Sequence, residues 1–214
     1  MNTKGYFVSF EGIDGAGKTT IIDALKKKCD EQDVEWVQTR EPGGSQLAES
    51  IRKLLMRHVG QADVLTELLL LYAARRDHVQ TCIRPWLQQG KLILCDRFFD
   101  ASYAYQVAAR GEDAERLGIL DQWVLDGVLP DLTFFIDISI DLSSKRRKRR
   151  GDEQGFDAFD GDFFNKVREG YMQRALQYPE RIVTLQADEG SEALADRAWH
   201  TLQNRRCNRV DDCA

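Results

Sequence analysis

Gly12-Ile13-Asp14-Gly15-Ala16-Gly17-Lys18-Thr19 is a complete G-x-x-x-x-G-K-[ST] element, and the residues on either side of it decide how it folds. Tyr6-Phe7-Val8-Ser9-Phe10 precedes it, β-branched and aromatic as a strand requires. Ile21, Ile22 and Leu25 follow it at the spacing of one helix face. A strand, a glycine-rich turn and a helix are the parts of a phosphate cradle. The glycines let backbone N–H groups converge on phosphate oxygens, and the helix N-terminus adds a favourable partial positive charge. In such a cradle Gly12, Ile13, Asp14, Gly15, Ala16 and Gly17 wrap the phosphates. Lys18 reaches the β- and γ-phosphates, and the Thr19 hydroxyl ligates Mg²⁺. The element therefore predicts a nucleoside triphosphate site.

The rest of the chain repeats the strand–helix alternation. Beyond residues 6–10, strand-like runs occupy 35–39, 91–95, 132–137 and 181–185. Helical patterns occupy 46–57, 63–88 with a late interruption at Pro85, 114–125, 141–150, 160–176 and 192–205. This order predicts an α/β fold, a five-stranded parallel sheet with helices on both faces. Continuous apolar runs such as Leu92-Ile93-Leu94-Cys95 fit strands buried on both sides. At 214 residues, without repeats or a Pro/Ser-rich linker, the chain reads as one domain over residues 1–205, with 206–214 as a polar C-terminal tail.

Composition narrows the function classes. A net charge of −5 argues against a broad nucleic-acid surface. Five cysteines, odd in number and without a C-x-x-C pair, supply neither a zinc nor a redox motif. The N-terminus is polar, and no apolar run approaches the roughly 18 residues of a membrane span. The expectation is a cytoplasmic protein with no nucleic-acid or membrane partner.

In open parallel sheets the ligands sit outside the carboxyl ends of the strands. After the second strand run comes Arg40-Glu41-Pro42-Gly43-Gly44, a tight turn presenting charge at that edge. After the third comes Asp96-Arg97. Asp96 stands where a Walker B carboxylate supports Mg²⁺, and Arg97 can fork onto a phosphate. Asp131 and Asp137, around the fourth, read as turn and cap residues, and His58, His78 and His200 as structural or surface residues. Six basic residues, Lys145 to Arg150, precede Gly151-Asp152-Glu153-Gln154-Gly155. Such a run is either a solvated face or a short lid, at about residues 146–158, that closes arginines over the transferred phosphate.

Taken together the motifs resemble the thymidylate kinases, and the bacterial branch fits best. The resemblance rests on Phe10 to Thr20, Thr39-Arg40-Glu41-Pro42-Gly43-Gly44, Tyr72-Ala73-Ala74-Arg75, Asp96-Arg97, Ser102-Tyr103-Ala104-Tyr105-Gln106 and Pro130-Asp131-Leu132-Thr133. It implies a P-loop NTPase fold, transfer of the γ-phosphate of ATP to dTMP, Mg²⁺ as cofactor and a homodimer. It also implies that Asp14 meets the acceptor sugar's 3′-hydroxyl and that Arg97 and Arg40 line the monophosphate pocket. Arg75 then contacts base and phosphate, Ser102 faces the base, and Tyr105 and Gln106 pack the deoxyribose and thymine. Gly15 stands where some members carry a basic residue, which sends the catalytic arginine to the lid, to Arg150 or Arg146.

The chain departs from the family pattern in places. The base-stacking aromatic expected four residues before Arg75 is Leu71, so either Tyr72 takes its place or the wall is aliphatic. The lid reads Gln154-Gly155-Phe156-Asp157, one arginine short of the common pattern, and Gln186-Ala187 replaces Asp-Ala near the adenine site. Another or a broader-specificity pyrimidine nucleoside monophosphate kinase is the alternative reading, with a weakened nucleotide-binding protein behind it. A GTPase switch would need Asp-x-x-Gly and Asn-Lys-x-Asp elements, and neither occurs at a suitable position.

Overall fold

The computed structural model describes residues 5–58, 61–150, 161–188 and 190–211. Its centre is a sheet of five strands, β1 (Tyr6–Glu11), β2 (Trp36–Arg40), β3 (Leu92–Asp96), β4 (Leu132–Asp137) and β5 (Ile182–Gln186), in the order β2-β3-β1-β4-β5. All neighbours pair parallel, with Phe10 beside Asp96 and Arg40 beside Asp96 at the carboxyl end. The chain leaves β1 for the far side of β3, so β1 and β3 flank the point where strand order reverses, and a crevice opens there.

Every residue of β1 and β4 is buried, because both faces of the sheet are covered. Alternation divides them. Tyr6, Val8, Phe10, Leu92 and Leu94 join Ile21, Ile22 and Leu25 of α1 (Lys18–Glu31) and Trp199 and Leu202 of α9 (Ser191–Asp211). Phe7, Ile93 and Cys95 instead meet Val79, Ile83, Phe98 and Leu125. A fully buried Ile, Leu or Phe contributes about 1.5–3 kcal/mol, so these two clusters hold the sheet rigid beneath the crevice.

The remaining helices are α2 (Gln46–Arg57), α3 (Val64–His78), α4 (Arg84–Gln88), α5 (Phe99–Ser102), α6 (Ala114–Leu125), α7 (Ile140–Arg150) and α8 (Gly161–Gln177). The interruption expected at Pro85 takes the form of a π-helical turn in the residues just before it. Pro85 continues the same helical path, since Ile83 and Arg84 both have α-helical backbone angles, and its ring and missing N–H displace the preceding turn. The disturbance falls at Val79–Ile83, a π-helical turn whose end is marked by the Arg84 N–H reaching Val79 O. A second π-helical turn, Tyr103–Ala108, follows α5 directly. At the other end of the chain, the helix expected to stop at residue 205 continues to Asp211, into the segment read as a tail.

Candidate active site

The loop between β1 and α1 has the backbone its glycines permit. Gly12 has φ +135°, and a Cβ there would meet Ile136 O at 2.6 Å. Gly17 is left-handed at φ +106° and hands the chain to α1. Lys18 curls back over this loop, its Nζ donating to Gly12 O at 3.2 Å and Ile13 O at 3.5 Å. The carboxylates of Asp96 and Asp14 lie 3.9 and 4.0 Å from the same nitrogen. Burial pushes the Lys18 ammonium pKa down, with the nearby Arg97 charge adding to it. Thr19 is exposed on the first turn of α1. Asp96 Oδ1 is buried without a hydrogen-bond partner, and no trio of His, Cys, Asp or Glu among the described residues could hold a metal by itself. An orphaned carboxylate oxygen at the end of β3 and an exposed hydroxyl on the first turn of α1 are donors of the kind that suit a cation shared with phosphates.

Arg97 joins the loop to the crevice. Its φ of +67° is strained for a residue with a Cβ, a cost of order 1–3 kcal/mol that aims the side chain across β1. Nη2 donates to Asp14 Oδ1 at 2.6 Å, and Nη1 donates to Gly12 O at 2.8 Å and to the Tyr171 hydroxyl at 3.0 Å. The Tyr105 ring lies under the guanidinium, 5.1 Å from centroid to Cζ. Tyr171 in turn donates to Glu11 Oε2 at 2.9 Å, while the Phe98 N–H donates to Oε1 at 2.7 Å. Burial, reinforced by the Asp100 charge, raises the Glu11 pKa to about 8.

Beside this bridge lies a cleft of about 190 Å³ lined by Asp14, Arg52, Arg75, Arg97 and Ser102, with Leu71, Tyr105, Gln106 and Phe163 among its other walls. Arg75 is buried, donating from Nε to Glu41 Oε2 at 2.6 Å and from Nη2 to Ser102 Oγ at 3.1 Å. Its Nη1 is buried without a hydrogen-bond partner. Glu41 is held from behind by His78, whose Nδ1 is 3.1 Å from Oε1 and whose Nε2 is 2.7 Å from Thr39 Oγ1. Gln106 donates from Nε2 to Glu67 Oε1 at 2.8 Å.

The sequence-predicted residues thus fall into groups. The loop residues, Asp96, Arg97, Arg75, Ser102, Tyr105, Gln106 and Leu71 converge on the crevice. Tyr72 does not: it is buried in the α3–α6 contact, where its hydroxyl donates to Asp121 Oδ1 at 2.6 Å. Leu55, Met56 and Leu71 accordingly give the cleft an aliphatic part of its wall. Arg40 also points elsewhere, exposed and forked onto Glu49 at 3.0 and 3.1 Å, and it does not line the cleft. Arg52 occupies that side instead, anchored by Nη1 to Pro42 O at 2.8 Å. Burial and then the charges of Arg40 and Arg97 push its pKa down, the electrostatic sign of a place that would gain from an anion. The sequence carried a signal for Arg52: it lies between buried Ala48 and Leu55 at helical spacing, so it shares the inward face of α2. Phe163 and Glu67 had no comparable mark.

From the lid, Arg146 donates to Ala16 O at 3.3 Å and to Ala187 O at 3.1 Å, so it spans from the loop to the end of β5. The Arg150 side chain and residues 151–160, which include Gln154 to Asp157, lie outside the described residues. Asp137 accepts a fork from Arg168, and the Asp131 carboxylate accepts the Phe7 N–H at 2.8 Å, both structural uses.

This geometry has close counterparts. The profile of the family described as Thymidylate kinase matches residues 10–198. A thymidylate kinase of Acinetobacter baylyi is 44% identical over 199 residues, covering 92% of this chain and 98% of its own. One of Vesicomyosocius okutanii is 43% identical over 187 residues, covering 87% and 91%. The crystal structure of thymidylate kinase from Ehrlichia chaffeensis superimposes with a TM-score of 0.75 at 35% identity, covering 93% of this chain and 98% of that one. With a P-loop on β1, an arginine bridge to a second cleft and these relatives along nearly its whole length, the chain belongs to the thymidylate kinase family.

Proposed function

We propose that the protein transfers the γ-phosphate of ATP to dTMP, giving dTDP and ADP, as a step toward dTTP. The observation that carries this reading is the 2.6 Å bond between Arg97 and Asp14. Asp14 belongs to the triphosphate loop and also lines the second cleft, so donor and acceptor nucleotides would meet at one pair of side chains.

ATP occupies the loop of residues 12–19, with Lys18 swinging from the loop carbonyls to the β- and γ-phosphates. Arg97 and Arg52 hold the acceptor phosphate in line, and Asp14 meets the 3′-hydroxyl of the deoxyribose. The buried, unpaired Nη1 of Arg75 is a donor for a base carbonyl, beside Ser102, Tyr105 and Gln106. Thr19 and Asp96 are the residues that would hold Mg²⁺, which neutralises charge on the β- and γ-phosphates. The acceptor phosphate is itself the nucleophile, so the reaction needs orientation and charge neutralisation rather than a covalent intermediate. No helix among the described residues is long and apolar enough to cross a membrane; the reading is of a cytoplasmic enzyme that acts on free nucleotides, without a nucleic-acid or membrane partner.

A coupled ADP-release assay over dTMP, dUMP, UMP and CMP tests the proposal. dTMP is expected to give the highest kcat/KM, with release abolished by EDTA. The aliphatic wall at Leu71 favours a wider choice of uracil-type acceptors, and dUMP turned over as well as dTMP would establish that alternative. The lid arginines are tested separately. Arg150→Ala is expected to lower kcat by more than about tenfold, with KM for dTMP within about twofold, as for an arginine acting on the transferred phosphate. If kcat is unchanged there but falls in Arg146→Ala, the role passes to Arg146.

A homodimer belongs to the same reading. Helices α3 and α6 pack together and leave Leu69, Ile119 and Trp123 exposed, Trp123 at 74%. Apolar groups of this size on neighbouring helices suit a face covered by a second copy. Sedimentation of the parent at dimer mass and of Trp123→Glu at monomer mass is the expected outcome, and a monomeric parent would contradict it.

A further inference from the structure

We propose that Glu67 is a specificity-determining positioning residue, which fixes the side-chain amide of Gln106 so that the cleft accepts a keto pyrimidine and rejects cytosine. The proposal rests on the reading of the cleft as the acceptor-base site. Glu67 projects from the first turn of α3, where both carboxylate oxygens are engaged. Oε2 accepts from Arg110 Nη1 at 2.6 Å, and Oε1 accepts from Gln106 Nε2 at 2.8 Å. The three side chains are largely buried, and all of them line the cleft.

A carboxylate paired with an arginine only accepts hydrogen bonds, whereas a primary amide donates from one end and accepts at the other. Glu67 therefore dictates which end of Gln106 is which. The NH₂ group must face Glu67, and the carbonyl Oε1 is left with no hydrogen-bond partner among the described residues. Arg75, which holds Ser102 one helical turn before Gln106, keeps its Nη1 as a buried donor without a partner. The cleft thus offers one acceptor and one donor. Thymine and uracil present the complement, an N3–H donor beside the O4 acceptor. Cytosine presents the reverse, an N3 acceptor beside an N4 amino donor, and would set like groups against like at both positions. Buried polar groups left unpaired in this way discriminate far more strongly than a change in apolar contact.

Removing the carboxylate frees the amide to rotate. In Glu67→Gln the two facing amides pair in either sense, so Gln106 can present its NH₂ group to N3 of cytosine. The experiment compares kcat/KM for dTMP and dCMP, which share the sugar and phosphate, in the parent enzyme and in Glu67→Gln. The ratio of dTMP to dCMP is expected to fall by roughly 10–100-fold, the scale of one misread base edge. The exchanged pair Glu67→Gln/Gln106→Glu restores a carboxylate–amide contact with an acceptor turned toward the base, and is expected to recover most of the preference. It carries the test if the single variant does not fold, and its failure to prefer dTMP overturns the proposal. A merely structural Glu67 would lower both substrates in parallel, and an unchanged ratio overturns its positioning role alone. A parent enzyme that takes dCMP as readily as dTMP overturns the reading of the cleft, and this proposal with it.

Discussion

Lys18→Met is expected to lower kcat by about 10³-fold while the nucleotide-free protein unfolds within a few degrees of the parent. The loss follows from what Lys18 can reach. It is the cation of the loop itself, and removing one preorganised charge from a developing phosphoryl group costs 10²–10³ or more in rate. The small stability effect follows from how poorly Lys18 is paired. It is 7% exposed, its carboxylate neighbours stand at 3.9 and 4.0 Å, and its hydrogen bonds to loop carbonyls are 3.2 and 3.5 Å long. Burial already depresses its pKa, so the site holds this charge at a cost in desolvation that loose pairing does not recover. Methionine removes that cost, against which stands the lost partner of Asp96. Kinetic assay and thermal denaturation of the same preparation separate the two effects. A large drop in Tm would mean that the lysine holds the loop together rather than serving the phosphates.

Arg75→Met is expected to do the reverse and destabilise the protein by about 3–5 kcal/mol, the usual cost of deleting one partner of a buried ion pair. For a chain of this size that is about 6–20 °C in Tm. Arg75 and Glu41 are 3% and 4% exposed and 2.6 Å apart. Losing the guanidinium leaves the buried Glu41 carboxylate against His78 alone. kcat/KM for dTMP falls as well, since Nη1 and the hold on Ser102 go with it. Arg75→Lys separates the roles: it keeps the charge near Glu41 and most of the stability, but lacks the fork that serves Glu41, Ser102 and a base carbonyl together. A methionine variant as stable as the parent would remove the ion pair from this account.

How much of this was written in the sequence depends on how local the cause is. The P-loop, the strands and most helix limits follow from patterns within a few residues, and the chemistry after each strand follows from the parallel sheet. Asp14, Asp96 and Arg97 could therefore be placed before any coordinates were known. Arg40 and Arg52 show where local reading ends. Both are arginines near one turn, and only the packing of α2 decides that Glu49 takes the first while the second enters the cleft. The second π-helical turn likewise comes from how α5 continues, since no residue type marks it, whereas Pro85 marks the first. Tyr72 was legible as an aromatic next to Leu71 but not as the partner of Asp121, 49 residues away. The Glu67–Gln106 contact spans 39 residues, and its meaning lies in which atom of an amide faces which neighbour.

The most direct test of the central claim follows the phosphate itself. With ATP labelled at the γ-position, the enzyme is expected to move the label into dTDP, one equivalent for each ADP formed, and only when dTMP is present. Label appearing as inorganic phosphate, or ADP forming at the same rate without dTMP, would contradict the account.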